Sequence, residues 1–234
     1  MNSSSVSVIL IVWNGEQFIA DALASVFDSS CAPLETLVID GGSTDRTREV
    51  VASFPAATFV PQQSVGLTEA YNEGIRMARG SLLAFISHDD CWTPSKLDRQ
   101  VAFMDEHPDV LYTVGHVLHR LHDGATPPAG FRTELLEHPV PGQIMETLVA
   151  RPACFARVGL LDPEFDSASD TDWFARARDL DVPMAVLPET LVIKRVHGHN
   201  ASLLQPRTNA LLLAALRQSV GRKRNDSSSH SLPQ

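Results

Sequence analysis

Along the first half of the chain, apolar positions switch repeatedly between strand-like runs and helical spacing. Val6–Val12 is a largely apolar run of strand length closed by Asn14-Gly15, after which Phe18, Ala22, Leu23 and Val26 recur at helical intervals. Thr36–Ile39 predicts a second strand ending at Asp40-Gly41-Gly42-Ser43, with Ser43 or Thr44 placed to cap a helix through Val50 and Val51. Thr58–Val60 predicts a third strand. Tyr71, Gly74, Ile75 and Ala78 share one helix face, with Gly80 as a C-cap. Leu82–Ile86 is a fourth strand ending in Ser87-His88-Asp89-Asp90, and Thr93-Pro94 opens a helix carrying Leu97, Val101 and Met104. Strands alternating with helices predict a parallel sheet with right-handed crossovers, and ligands of such sheets bind at the loops following the strands. The expected fold class is α/β, with a nucleotide-binding first half.

The second half is less regular. Val110–His116 and Val117–Leu121 read as two strands paired with each other. Residues 123–142, with Pro127, Pro128, Pro139 and Pro141, read as loops. Trp173, Phe174, Ala177 and Leu180 mark a helix, Leu191–Val196 a late strand and Ala210–Leu216 a terminal helix; from Gly221 the composition turns basic and then Ser-rich, as in a frayed tail.

Composition narrows the class. The chain has 234 residues, 44% of them apolar, which suffices for a packed core and excludes wholesale disorder. Its apolar stretches fall short of the roughly 20 residues of a membrane span, and the N-terminus lacks the basic region of a signal peptide. Cys31, Cys91 and Cys154 are odd in number and widely spaced, which indicates free thiols in a reducing compartment. The net charge of −9, with no basic run before the extreme C-terminus, argues against nucleic acid as a partner. An anionic ligand would need local neutralisation, such as a metal held by carboxylates.

Three polar constellations follow predicted strands or open a helix. Asp89 and Asp90 adjoin at a strand end, where like charges repel unless a divalent cation relieves them; either could instead cap the next helix. In Asp40-Gly41-Gly42-Ser43-Thr44-Asp45, glycines permit close backbone approach, and Asp40 can accept a hydrogen bond from a ribose or base edge; the same pattern also makes a plain turn. Ser169-Asp170-Thr171-Asp172 precedes a helix, with Arg195-Val196-His197-Gly198-His199-Asn200 downstream. Asp170 reads as a cap or as a general base, and one of His197 and His199 as an inward-facing ligand.

In order and spacing, Val6 to Gly15, Val38 to Asp45, Tyr71-Asn72-Glu73-Gly74-Ile75, Ala78-Arg79-Gly80, Phe85 to Trp92, Gly159-Leu160-Leu161-Asp162, Ser169 to Phe174 and the Arg-x-His-x-x-Asn at Arg195 resemble a family 2 glycosyltransferase of the GT-A fold, over roughly residues 5–202. The resemblance implies one domain over 1–220: a nucleotide-sugar-binding half (1–109), an acceptor and catalytic half (110–204) and a terminal helix (205–220), followed by a disordered tail (221–234). It implies a nucleotide-sugar site at Val12, Trp13, Asn14, Glu16, Asp40, Gly42, Asn72, His88 and Asp89, with Trp13 against the base and Asn72 near the diphosphate. It implies Asp90 and His197 as ligands of Mn2+ or Mg2+, and Asp170 as catalytic base. Ser87, Gly41 and Ser169 depart from the family pattern, which carries acids there.

The reaction so implied is inverting, metal-assisted single displacement from a nucleotide-diphosphate sugar. A UDP-sugar is the first expectation for the donor and a dTDP- or GDP-sugar the alternative. The acceptor is a glycan, lipid-linked sugar, peptide or small molecule. A sugar-nucleotide-binding protein without turnover and a nucleotidyltransferase are the competing readings, the latter opposed by Trp13-Asn14-Gly15-Glu16 where a Gly-rich loop with Arg and Lys belongs. A cytoplasmic enzyme is expected, either free or at the inner face of the membrane, with a homo-oligomer allowed.

Overall fold

A computed structural model describes residues 4–128, 131–198, 200 and 206–229. Strands β1 (Val6–Val12), β2 (Glu35–Asp40), β3 (Ala57–Pro61) and β4 (Leu82–Ser87) run parallel in the order β3-β2-β1-β4. Helices α1 (Ile19–Phe27), α2 (Thr47–Ala52) and α3 (Leu67–Met77) lie between consecutive strands, as the alternating pattern requires. Every residue of β1 is buried, as expected for a strand covered on both faces. Val6, Val8 and Leu10 pack with α1 and with Leu97 and Met104 of α4 (Lys96–Glu106), whereas Ile9 and Ile11 join Phe85 and Trp173 on the other face.

The sheet continues into the second half through β5 (Cys91–Trp92), β6 (Tyr112–Leu121), β7 (Val140–Pro141), β8 (Val149–Ala150) and β9 (Met184–Val196), giving the order β3-β2-β1-β4-β8-β6-β9-β5 with β7 on β6. Because β8 is antiparallel to both β4 and β6, and β9 is parallel to β6, the carboxyl ends of β1, β2, β4 and β9 share one edge of the sheet. Helices α5 (Pro152–Val158), α6 (Ser169–Asp179) and α7 (Pro206–Ser229) flank this half. Among the described residues, no helix is long and apolar enough to cross a membrane.

Several local expectations change. Instead of two strands paired together, Tyr112–Leu121 is a single strand whose register against β9 shifts around Gly115 and His116, so that one long partner serves both segments. Gly80 is not a C-cap: α3 ends at Ala78, and Gly80 is needed because a Cβ there would lie 2.5 Å from the Ser7 nitrogen. Neither Ser43 nor Thr44 caps α2: its N-cap is Arg46, and the Asp45 carboxylate just before it accepts from the Thr47 N–H. Helix α4 begins at Lys96 rather than Thr93, because the Cys91-Trp92 bridge to β9 delays it. The terminal helix, expected to end at 220, continues to Ser229, and Ser219 and Arg222 anchor it by bonding Asp179, each at 2.9 Å.

Candidate active site

The loops after β1 and β2 are zipped together by side chains. Asn14, held at φ 49°, donates its N–H to Ser43 Oγ (2.8 Å) and accepts from the Thr44 N–H through Oδ1 (2.9 Å). Asp40 Oδ2 accepts from the N–H groups of Gly42 (3.1 Å) and Ser43 (3.0 Å), a tight turn that Gly42 permits at φ +87°. Its other oxygen, Oδ1, is buried with no partner among the described residues. An enclosed orphan carboxylate oxygen is costly and marks a place where a donor group can bind. Val12 closes the strand, its carbonyl accepting from the Gly41 N–H, while the Trp13 side chain stands 65% exposed beside this turn. The Glu16 carboxylate takes the Arg46 N–H at 2.9 Å and the Arg46 guanidinium at 3.2 Å.

At the end of β4 the two acids separate in role. Asp89 Oδ2 lies 3.1 Å from His197 Nε2 and accepts from the Asn200 side chain at 3.1 Å. Although burial works against the charge, the His197 hydrogen bond and the Lys194 ammonium hold the Asp89 carboxyl well below the usual range. Asp90, expected as the metal ligand, is instead fully enclosed, with Lys194 Nζ 2.7 Å from Oδ2 and the Arg195 N–H donating to Oδ1 at 3.0 Å. Each of its oxygens is thus engaged within the protein. Burial raises its pKa against the pull of Lys194. For Lys194 the balance is reversed: burial disfavours its charge, yet Asp90, Glu146 and Asp89 hold the ammonium well above its ordinary value.

Asn72, expected near the diphosphate, is likewise occupied elsewhere: its carboxamide donates to the Leu161 carbonyl at 2.9 Å and accepts from the Leu161 N–H at 3.0 Å. It therefore pins the segment leading into α6. His88 packs below the Asn14–Gly15 turn with its N–H on the Ile11 carbonyl, and burial lowers its pKa. His199 lies outside the described residues.

Asp170 sits in the first turn of α6, which is anchored by fully buried Trp173 donating to the Gly159 carbonyl at 2.9 Å. Burial, reinforced by the Glu146 charge, pushes the Asp170 carboxyl up to about 6, against hydrogen bonds from Thr171. Such a group is ionised at neutral pH yet basic enough to take a proton.

Two residues at this edge were not anticipated. Glu146, just before β8, accepts the Ser87 hydroxyl at 2.6 Å and lies 3.7 Å from Lys194. The available signal was Lys194 itself, one of three lysines in an otherwise Arg-based chain. Among the described residues no group of three or more His, Cys, Asp or Glu stands ready to hold a metal. The Asp89–His197 pair nevertheless offers a carboxylate oxygen and an imidazole nitrogen, a donor set that suits Mn2+ or Mg2+ if phosphate oxygens complete the shell.

Residues 7–155 match the family model for glycosyl transferase family 2. An uncharacterized protein of Mycobacterium tuberculosis is 29% identical over 212 residues, covering 82% of this chain and 59% of the relative; the chain thus spans well under two thirds of that relative's length. The UDP-Glc:alpha-D-GlcNAc-diphosphoundecaprenol beta-1,3-glucosyltransferase WfgD of Escherichia coli is 32% identical over 107 residues, covering 44% of this chain and 42% of WfgD. Among solved structures, S. aureus TarS 1-349 in complex with UDP-GlcNAc superposes with a TM-score of 0.70 at 17% identity, covering 93% of this chain and 66% of that one. Glucosyl-3-phosphoglycerate synthase from Mycobacterium tuberculosis, in complex with Mn2+, UDP and glucosyl-3-phosphoglycerate, gives 0.64 at 19% identity, covering 93% and 80%. The fold is therefore of the GT-A type.

Proposed function

The chain belongs to glycosyl transferase family 2, and we propose that it moves a sugar from a nucleoside-diphosphate donor to an acceptor hydroxyl by single displacement, with inversion and with Asp170 as general base. The observation that carries this reading is a half-buried carboxyl raised to about 6 in the first turn of α6, together with the orphan oxygen of Asp40 at the end of β2. Asp40 Oδ1 would accept a base or ribose N–H or O–H, and exposed Trp13 would lie against the base. Asp89 and His197 would hold a divalent cation. When bound, that ion neutralises charge developing on the leaving diphosphate. Asp170 takes the acceptor's proton as its oxygen attacks the face opposite the leaving group.

UDP is the first choice of nucleotide, because the TarS and glucosyl-3-phosphoglycerate synthase complexes contain UDP-GlcNAc and UDP. Release of nucleoside diphosphate from UDP-, dTDP- and GDP-sugars tests the reaction. Asp170→Asn should lower turnover about 10²–10⁴-fold with donor binding intact; near-wild-type turnover would remove Asp170 from the base role. Excess chelator should abolish transfer, and undiminished transfer would overturn the cation at Asp89 and His197.

A further inference from the structure

Single displacement requires the anomeric carbon to lie between the leaving diphosphate and the base. Asp89 and His197 mark the first station and Asp170 the second. Glu146 and Lys194 come to the same sheet edge from the start of β8 and the end of β9, lie 3.7 Å apart, and both act electrostatically on Asp170. Glu146 is 7% exposed, and its Oε1 takes the Ser87 hydroxyl. Its second oxygen, Oε2, has no hydrogen-bond partner among the described residues and is not enclosed. Lys194 spends one N–H on Asp90 and keeps its side chain 20% exposed, so donor capacity remains.

We propose that Glu146 and Lys194 form the subsite that reads the hydroxyls of the transferred sugar, and that the donor sugar is an uncharged hexose with adjacent free hydroxyl groups. The proposal rests on the sugar-transfer reading above. A hydroxyl both donates and accepts, so a carboxylate beside an ammonium satisfies a pair of neighbouring hydroxyls, and charge assistance strengthens both bonds. The unpartnered Glu146 oxygen gains a hydrogen-bond donor. An anionic sugar is disfavoured, because Asp89, Asp90, Glu146 and Asp170 surround one ammonium that Asp90 already engages.

The test begins with the wild-type protein, using UDP, UDP-glucose, UDP-galactose, their ring-deoxy analogues and UDP-glucuronate. One of the two hexose donors should be turned over, at least one deoxy analogue should lose about 10–100-fold in kcat/KM, and the glucuronate should lose at least as much. In Glu146→Gln, UDP affinity should stay within about threefold of wild type while the preference for the hexose over that deoxy analogue collapses toward unity. A wild type that turns over the deoxy analogues or the glucuronate as readily as the hexose would overturn the proposal. So would a Glu146→Gln protein that loses UDP and UDP-hexose affinity equally, since that marks a structural role. A wild type that binds UDP but transfers from neither hexose overturns the hexose assignment alone, whereas one that binds no nucleotide refutes the underlying reading as well.

Discussion

Two lysines, Lys96 in the packed core and Lys194 at the end of β9, meet opposite surroundings. Lys96 on α4 is fully buried, lies over the Trp92 ring at 4.4 Å and donates to neutral Gln100 Oε1 at 2.7 Å. With only the distant Glu146 charge to oppose it, burial lowers its amine to about 7. Lys194 reaches Asp90 and Glu146, and stays firmly charged. The same side chain is thus a core filler in one place and a fixed cation in the other, and the difference lies in the acids the fold brings within about 4 Å of Lys194 and in its partial exposure. Where Asp89, Asp90 and Glu146 converge, the Lys194 ammonium offsets their charge, and the surroundings of Lys96 hold no such cluster.

Removing each lysine should expose that difference. Lys194→Met leaves Asp90 buried without its counter-ion, a change that typically costs about 3–5 kcal/mol, and should lower the unfolding midpoint sharply as well as turnover. Equal stability of this variant and wild type in denaturant unfolding would deny that Asp90 depends on the pair. The next effect in size is on rate. With Asp170 near 6, turnover should fall about tenfold per unit as pH drops below that value, while Glu146→Gln, which removes a charge that raises Asp170, should shift the acid limb to lower pH. An acid limb at the same pH in both proteins would contradict the coupling.

Lys96→Met should have the smallest effect, within about 1 kcal/mol near neutral pH, because relief of amine burial offsets the donor lost by Gln100. Its pH signature is more specific. Between about 7 and 10.5 the unfolded chain binds a proton at Lys96 that the folded chain does not, so wild-type stability should rise with pH across that window. The variant should show a flatter profile; an unchanged slope would mean that Lys96 is charged in the native state.

The parallel half of the fold was legible because each strand is a short apolar run and each crossover has a helical period. Asp40, Asp89, His197 and Asp170 were legible as members of ordered motifs. The roles within those motifs were less so. Nothing in adjacent Asp89-Asp90 tells which carboxylate turns inward toward Lys194, since that depends on β9, more than a hundred residues later. Asn72 looked like a ligand contact because its partner is the backbone of Leu161, which leaves no side-chain signature. Glu146 belongs to no motif and gains its place only when β8 pairs with both β4 and β6. The single strand over Tyr112–Leu121 was misread as two because the shift at Gly115 and His116 breaks its period.

If Asp40 is the nucleotide station of the site whose base is Asp170, the donor binds through it. Calorimetric titration of UDP-glucose and UDP-galactose into wild type and Asp40→Ala, with Mn2+ present, tests it most directly. Saturable binding of at least one donor to wild type, weakened about tenfold or more in the variant, is the predicted result. Equal affinity in the two proteins would contradict the claim.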